Sequence, residues 1–272
     1  MKGIIQPVIE SAKNPHLRAQ LLDYFPRQGS SYASIERSFQ ALVSGSHDVE
    51  RLSCFFSSWS MTNNSAMTVA GIANRLTLLR HKNQEVRDPM RLLQALTSLH
   101  RIVDEDLGVV GGVLHKDLYM RMAAHFCGSD AWQSHRYVTP QAAAFKKWKD
   151  AASLRDKDIM NGLLTTIVHE IYTHGEVEYI LPLFRNWLRA RGGVEGREAN
   201  VILAWIIVHT GPTEKNHFFH AIDAAEHYAG AMGIDLARYD MEEIVRAYMS
   251  LKAEAMDSIS QVLAGGGIAC AA

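Results

Sequence analysis

Three cysteines in 272 residues, Cys54, Cys127 and Cys270, are too few and too scattered for a disulfide framework. No Cys-x-x-Cys pair exists from which a thiolate zinc site could be built, so reduced thiols are the default. Charge of one sign is also lacking: 28 basic and 29 acidic residues give a net charge of -1. Such a chain has no long-range field to attract a polyanion, and no Lys/Arg run is interleaved with aromatic residues, which excludes nucleic acid as a partner. Long apolar runs are absent as well. The stretch from Val201 to Val208 is far short of the roughly 20 residues that cross a bilayer, and the N-terminus lacks an apolar signal-peptide core. The expectation is a cytoplasmic protein with no membrane partner.

Period-2 alternation bounded by Asn-Gly or Asp-Gly turns is missing too, so a sheet is not supported. What is present is helical periodicity, and the chain reads as all-α. Helices are expected near 3–24, 33–47, 49–62, 65–80, 89–106, 115–127, 139–151, 156–190 with a break inside, 196–209, 215–232 and 240–263. Asp88-Pro89 and Thr139-Pro140 read as helix starts, and Gly128, Gly192-Gly193 and Gly233 as stops. No Pro/Ser/Gly linker divides the chain, which favours one helical domain over 1–264, followed by a flexible tail at 265–272.

Thirteen histidines are more than a chain of this length ordinarily carries, and their spacing decides what they mean. At 100° per residue His220, Asp223 and His227 share one side of a helix whose neighbours Phe218, Ile222, Ala224 and Ala225 are apolar. An earlier segment has the apolar face Leu92, Leu96, Leu99 and Val103, ends in Asp104-Glu105-Asp106, and passes through a Gly-rich turn to His115. Acids at a helix C-terminus oppose the macrodipole, a cost that a bound cation reverses. Between them, the stripe 164, 168, 171 and 178 directs Glu178 to the core, where a carboxylate needs a metal or a strong donor.

Two shorter patterns are set aside. His169-Glu170 resembles the start of a zinc-protease motif, but the next histidine, His174, stands at the wrong spacing. Glu214-Lys-Asn-His217 matches the Glu-x-x-His of ferritin-like diiron proteins, yet that architecture needs two copies and the chain has one, so it reads as chance. The remaining acids and imidazoles form a mixed oxygen and nitrogen set suited to iron or manganese.

These three segments resemble the heme-oxygenase-like diiron oxidases and oxygenases over roughly residues 90–232. The Asp-Glu-Asp-Leu-Gly turn with His115 is similar to the first element of that family, Glu178-Tyr-Ile-Leu-Pro182 to the second, and His220 with His227 to the paired imidazoles of the third. The family's late-helix Asp falls at Ala224, with Asp223 one residue earlier, and the first acid is either Glu105 or Asp106. The resemblance implies a seven-helix bundle with two iron ions held by Glu105 or Asp106, His115, Glu178, His220, Asp223 and His227. It further implies O2 as co-substrate and a small amino acid, amine or fatty-acid-like molecule as the compound oxidised, in biosynthesis. Trp59, Met61, Phe126, Trp148, Trp205 and Phe219 are candidates to line the cavity. The rivals are a metal-free enzyme on the same scaffold, thiaminase-type or similar to quinone-cofactor oxidases, and a helical binding protein. A homodimer is only the base-rate assembly.

Overall fold

The computed structural model describes residues 1–63, 65–82, 86–109 and 111–266. It is all-helical, 83% helix, with no strand among the described residues. Helices α1 (Lys2–Glu10) and α2 (Pro15–Tyr24) stand where one helix over 3–24 is expected. Asn14 turns extended, its side chain accepts from the Leu17 amide, and Pro15 takes the first helical position, so this Asn-Pro step restarts the helix. Helices α3 (Gly29–Ser44), α4 (Val49–Asn63), α5 (Ala66–His81) and α6 (Pro89–Asp106) follow. Asp88 caps α6 by accepting from the amides of Met90 and Arg91. Then come α7 (His115–Cys127), α8 (Pro140–Asp150) and α9 (Ile159–Gly192).

The break expected within 156–190 is absent, because α9 is one helix of 34 residues with Pro182 inside it. A proline in a helix interior costs about 3 kcal/mol, and here that cost falls in the more exposed C-terminal half of a helix whose first half, Ile159 to Val177, is almost wholly buried. Conversely, the helix expected over 196–209 is two, α10 (Gly196–Ile202) and α11 (Ala204–His209), separated at Leu203. Helix α12 spans Pro212–Met232 and α13 Glu242–Leu263. Most of the tail expected at 265–272, residues 267–272, lies outside the described residues.

Packing brings the chemistry-bearing helices together. Helix α12 lies against α6 and α9, α11 against α7 and α9, and α5 flanks α6, while α13 packs on α3, α8 and α4. A continuous hydrophobic core runs from Met1 to Leu263. Trp59 is its aromatic hub, edge-on to Phe39 at 5.5 Å and to Trp205 at 5.2 Å between ring centroids. Near it a charge pair is wholly buried: Lys252 Nζ lies 2.9 Å from Glu176 Oε2, and Trp59 Nε1 donates to Glu176 Oε1 at 2.9 Å. No described helix is long and apolar enough to cross a membrane.

Candidate metal centre

The α6–α7 turn is built by glycine. Gly108 has φ +71°, and a Cβ there would lie 2.4 Å from the carbonyl carbon of Val113. Only a residue without a side chain lets the two limbs of the turn approach this closely. The turn thereby sets Asp106, the last residue of α6, beside His115, the first of α7, with Asp106 Oδ1 3.1 Å from His115 Nδ1. His209 closes this group from the end of α11. Its Nε2 is 3.1 Å from His115 Nδ1 and 3.9 Å from Asp106 Oδ1.

The tautomer of His209 follows from its other nitrogen. Nδ1 lies 2.6 Å from the Trp205 carbonyl, which can only accept, so Nδ1 carries the proton and Nε2 keeps its lone pair. Burial pushes the His209 pKa down to about 4 and keeps the ring neutral. A neutral imidazole anchored through its far N–H to a carbonyl is the usual state of a metal-ligating histidine.

A second group adjoins the first. Glu170, from the middle of α9, meets Glu214 and His217 from the first turns of α12. His217 Nδ1 is 3.8 Å from Glu170 Oε2 and 3.8 Å from Glu214 Oε2. The same Glu214 reaches back to the first group, with Oε1 3.8 Å from His209 Nε2. In each group one ligand atom per residue falls within 4.8 Å of the others, and all six side chains are buried.

Hydrogen bonding leaves this interior incomplete. Both oxygens of Glu170, Glu214 Oε2 and His217 Nδ1 are buried with no hydrogen-bond partner. Orphaned polar atoms of this kind cost roughly 1–3 kcal/mol each, more when charged, and four of them face one another here. Burial raises the Glu170 pKa to about 7, and burial with the nearby charges of Glu170 and Asp106 raises that of Glu214 well above the usual carboxylate range. Burial also acts against Asp106, but the His115 hydrogen bond and the charges of His217 and His209 outweigh it and hold this acid below its ordinary value. His217 goes the other way from burial's push, its pKa raised by the Glu105 hydrogen bond and by the charges of Glu170 and Asp106.

Of the residues expected from sequence, Asp106 and His115 enter the first group, and Glu105 approaches the second from outside, with Oε2 3.1 Å from His217 Nε2. The other expected ligands are revised. Glu178 accepts the Gly211 amide at 2.6 Å, which ties α9 to the turn between α11 and α12 and leaves the acid outside both groups. His220, Asp223 and His227 lie half-buried beside the inward stripe of α12, which is Glu214, His217, Phe218, Ala221, Ala224, Ala225 and Tyr228. Three residues along a helix is a rotation of roughly 60° short of a full turn, so the His220 face is displaced from the His217 face. Glu170, His209, Glu214 and His217 complete the two groups instead. The signal for two of them was present in Glu214-x-x-His217, and Gly211-Pro212 marked a helix start ahead of it.

A cavity of 470 Å³ reaches this centre from one side. Asp106, His115, His209 and Glu214 form one part of its wall, and Met61, Tyr119, Trp132 and Trp205 are among the rest. Glu170 and His217 are not in that wall. Of the aromatic and methionine residues expected to line a cavity, Met61 and Trp205 do so, whereas Trp59, Phe126, Trp148 and Phe219 pack elsewhere in or against the core. Comparison with models of known families, with curated proteins and with solved structures finds no significant match.

Proposed function

We propose that this chain is a non-heme diiron oxidase or oxygenase with a heme-oxygenase-like helical bundle, using O2 to oxidise a small amino acid, amine or fatty-acid-like substrate. The observation that carries the proposal is Glu214, one carboxylate spanning two ligand groups, with Oε1 3.8 Å from His209 Nε2 and Oε2 3.8 Å from His217 Nδ1. With iron bound, Glu214 would belong to both ligand groups. The donor sets support iron: Asp106, His115 and His209 make a two-His, one-carboxylate set, the arrangement associated with Fe(II) that keeps positions open for O2 and substrate. Glu170, His217 and the shared Glu214 make the second set. Two divalent cations would offset the buried carboxylates of Asp106, Glu170 and Glu214, with the partly exposed Glu105 beside them, and so make that burial tolerable.

When bound, iron supplies the redox chemistry that couples O2 reduction to substrate oxidation. The chain's own residues do the remaining work. Trp205 O fixes the His209 tautomer, and Glu105 accepts from His217 Nε2 so that Nδ1 faces the carboxylates. Glu178 pins Gly211 and holds His209 and Glu214 in register across the turn. Tyr119, Trp132 and Trp205 in the cavity wall keep bulk water from the reacting centre. All of the first group but only Glu214 of the second lines the cavity, so a substrate would lie on the Asp106–His115–His209 side.

Anaerobic titration with Fe(II), with iron counted per chain after desalting, tests the proposal. It expects two irons per chain, O2 uptake by the loaded protein, and no more than one iron in Glu214→Ala. Less than half an iron per chain in the unaltered protein overturns it.

A further inference from the structure

Glu176 and Lys252 form an ion pair whose two side chains have no exposed surface, and neither belongs to the ligand groups. A pair sealed this deeply is often no more stabilising than apolar residues in its place. What it does hold is an indole. Lys252 and the Tyr172 hydroxyl take Oε2 of Glu176, while Oε1 accepts from Trp59 Nε1 at 2.9 Å. A carboxylate fixed against an indole N–H in a water-free interior stabilises positive charge on that ring and so makes it easier to oxidise. Among the described hydrogen bonds, Trp59 alone gives a tryptophan N–H to a carboxylate. Nε1 of Trp132 and of Trp187 are buried with no acceptor.

The same indole lies on a short path to the metal centre. Trp205 stands between them, its ring centroid 5.2 Å from that of Trp59 and 4.8 Å from that of His209. Rings this close are in van der Waals contact, a separation that an electron crosses readily. Trp205 is joined to His209 a second time through its carbonyl, which accepts from Nδ1 at 2.6 Å. The phenols beside this path are poor places for the oxidation to rest. Tyr119 gives its hydroxyl to the Phe56 carbonyl at 2.7 Å, and a carbonyl does not take up the proton that an oxidised phenol sheds. Tyr172 bonds the oxygen of Glu176 that the Lys252 ammonium already holds.

We propose that Trp59 and Trp205 form an electron relay to the metal centre, and that Trp59 is the residue oxidised when the centre has reacted with O2 and the cavity holds no substrate. This rests on the diiron reading, with the O2-oxidised iron centre as the oxidant. One electron leaves the Trp59 ring and passes by way of Trp205 and His209 to the centre, which is reduced by one equivalent. Trp59 keeps its N–H proton and becomes a cation radical beside the Glu176 carboxylate, so no bond forms or breaks. Lys252 is a positioning residue that holds Glu176 in place. The oxidising equivalent is thereby drawn from the ligands and the cavity wall into a core where Trp59 has no exposed surface.

The test is freeze-quench electron paramagnetic resonance of the full chain, loaded anaerobically with Fe(II), its iron counted, then mixed with O2 in the absence of substrate. An organic radical is expected whose hyperfine structure narrows in protein made with ring-deuterated tryptophan and is unchanged with ring-deuterated tyrosine. With iron content unchanged, the signal should be lost in Trp59→Phe and kept in Trp132→Phe. It should also be lost in the Glu176→Gln, Lys252→Met double variant, which removes the carboxylate charge without stranding its partner. Trp205→Phe retains the carbonyl that anchors His209, so it should bind the same iron and form the radical more slowly. Narrowing by deuterated tyrosine instead, a radical that persists in Trp59→Phe, or no radical in protein that holds two irons and consumes O2 overturns the relay and leaves the diiron reading standing. The isotope result in the unaltered chain decides the matter even where a core variant fails to fold. No iron uptake overturns both.

Discussion

Replacing Glu170 with Gln in the metal-stripped protein should stabilise it, and by an amount that grows with pH. Glu170 has no hydrogen-bond partner at either oxygen, and burial raises its pKa from 4.5 to about 7. The folded protein therefore holds the proton more tightly than the unfolded chain, so between those two values unfolding releases a proton and stability falls as pH rises. Integrating a shift of about 2.5 units gives a cost below about 1 kcal/mol near pH 5 and roughly 3 kcal/mol near pH 8. A glutamine keeps the shape and cannot ionise. Other groups titrate too: burial lowers the Lys149 pKa to about 7, which makes its contribution rise with pH, so the raw wild-type curve is not diagnostic. The difference between Glu170→Gln and wild type is. Urea denaturation of both proteins in chelator across this range should show that difference opening by about 2 kcal/mol in favour of the variant. A difference that stays flat, or that favours wild type at high pH, refutes the reasoning that Glu170 is an unpartnered acid awaiting a cation.

Other perturbations separate ligands from bystanders. His209→Ala and His217→Ala should each reduce bound iron in a metal count, whereas His220→Ala and His227→Ala should leave it at the wild-type value. Lys252→Met strands the buried Glu176 carboxylate and should destabilise the fold by about 3–5 kcal/mol, measured by denaturation, with much of the loss recovered in the Glu176→Gln, Lys252→Met double variant. Gly108→Ala forces a side chain against Val113 at a left-handed φ, so a loss of roughly 1–3 kcal/mol is expected, together with weaker metal binding as Asp106 and His115 separate. Glu178→Ala, which removes the acceptor for the Gly211 amide, should lower metal affinity by about 10–100-fold without changing stoichiometry, as loss of a supporting contact does.

The all-helical architecture was legible because periodicity and capping agree at most ends; Asp88-Pro89 and Gly128 bound helices in the structure as they do in the pattern. The first half of the centre was legible for a related reason. Acids at a helix end followed by Gly108 and His115 form a local unit, and local units can be read along the chain. The second half depends on non-local phase. From Ile159 to Val177 nearly every residue of α9 is buried, so no apolar stripe distinguishes Glu170, and following one stripe led to Glu178 instead. In α12 the start at Pro212 rather than near 215 brings Glu214 inside the helix and onto the same buried face as His217. His220, Asp223 and His227 share a face, as their spacing requires, but that face is half-buried beside the one that carries Glu214 and His217. His209 ends a helix broken at Leu203, where the pattern suggested an unbroken one.

Diffraction from Fe(II)-soaked crystals, with anomalous maps at the iron edge, addresses the dinuclear assignment most directly. Two peaks should flank the Glu214 carboxylate, one among Asp106, His115 and His209, the other among Glu170, Glu214 and His217. A lone peak, or iron located at Glu178, His220 or His227 with the Glu214 region bare, contradicts it.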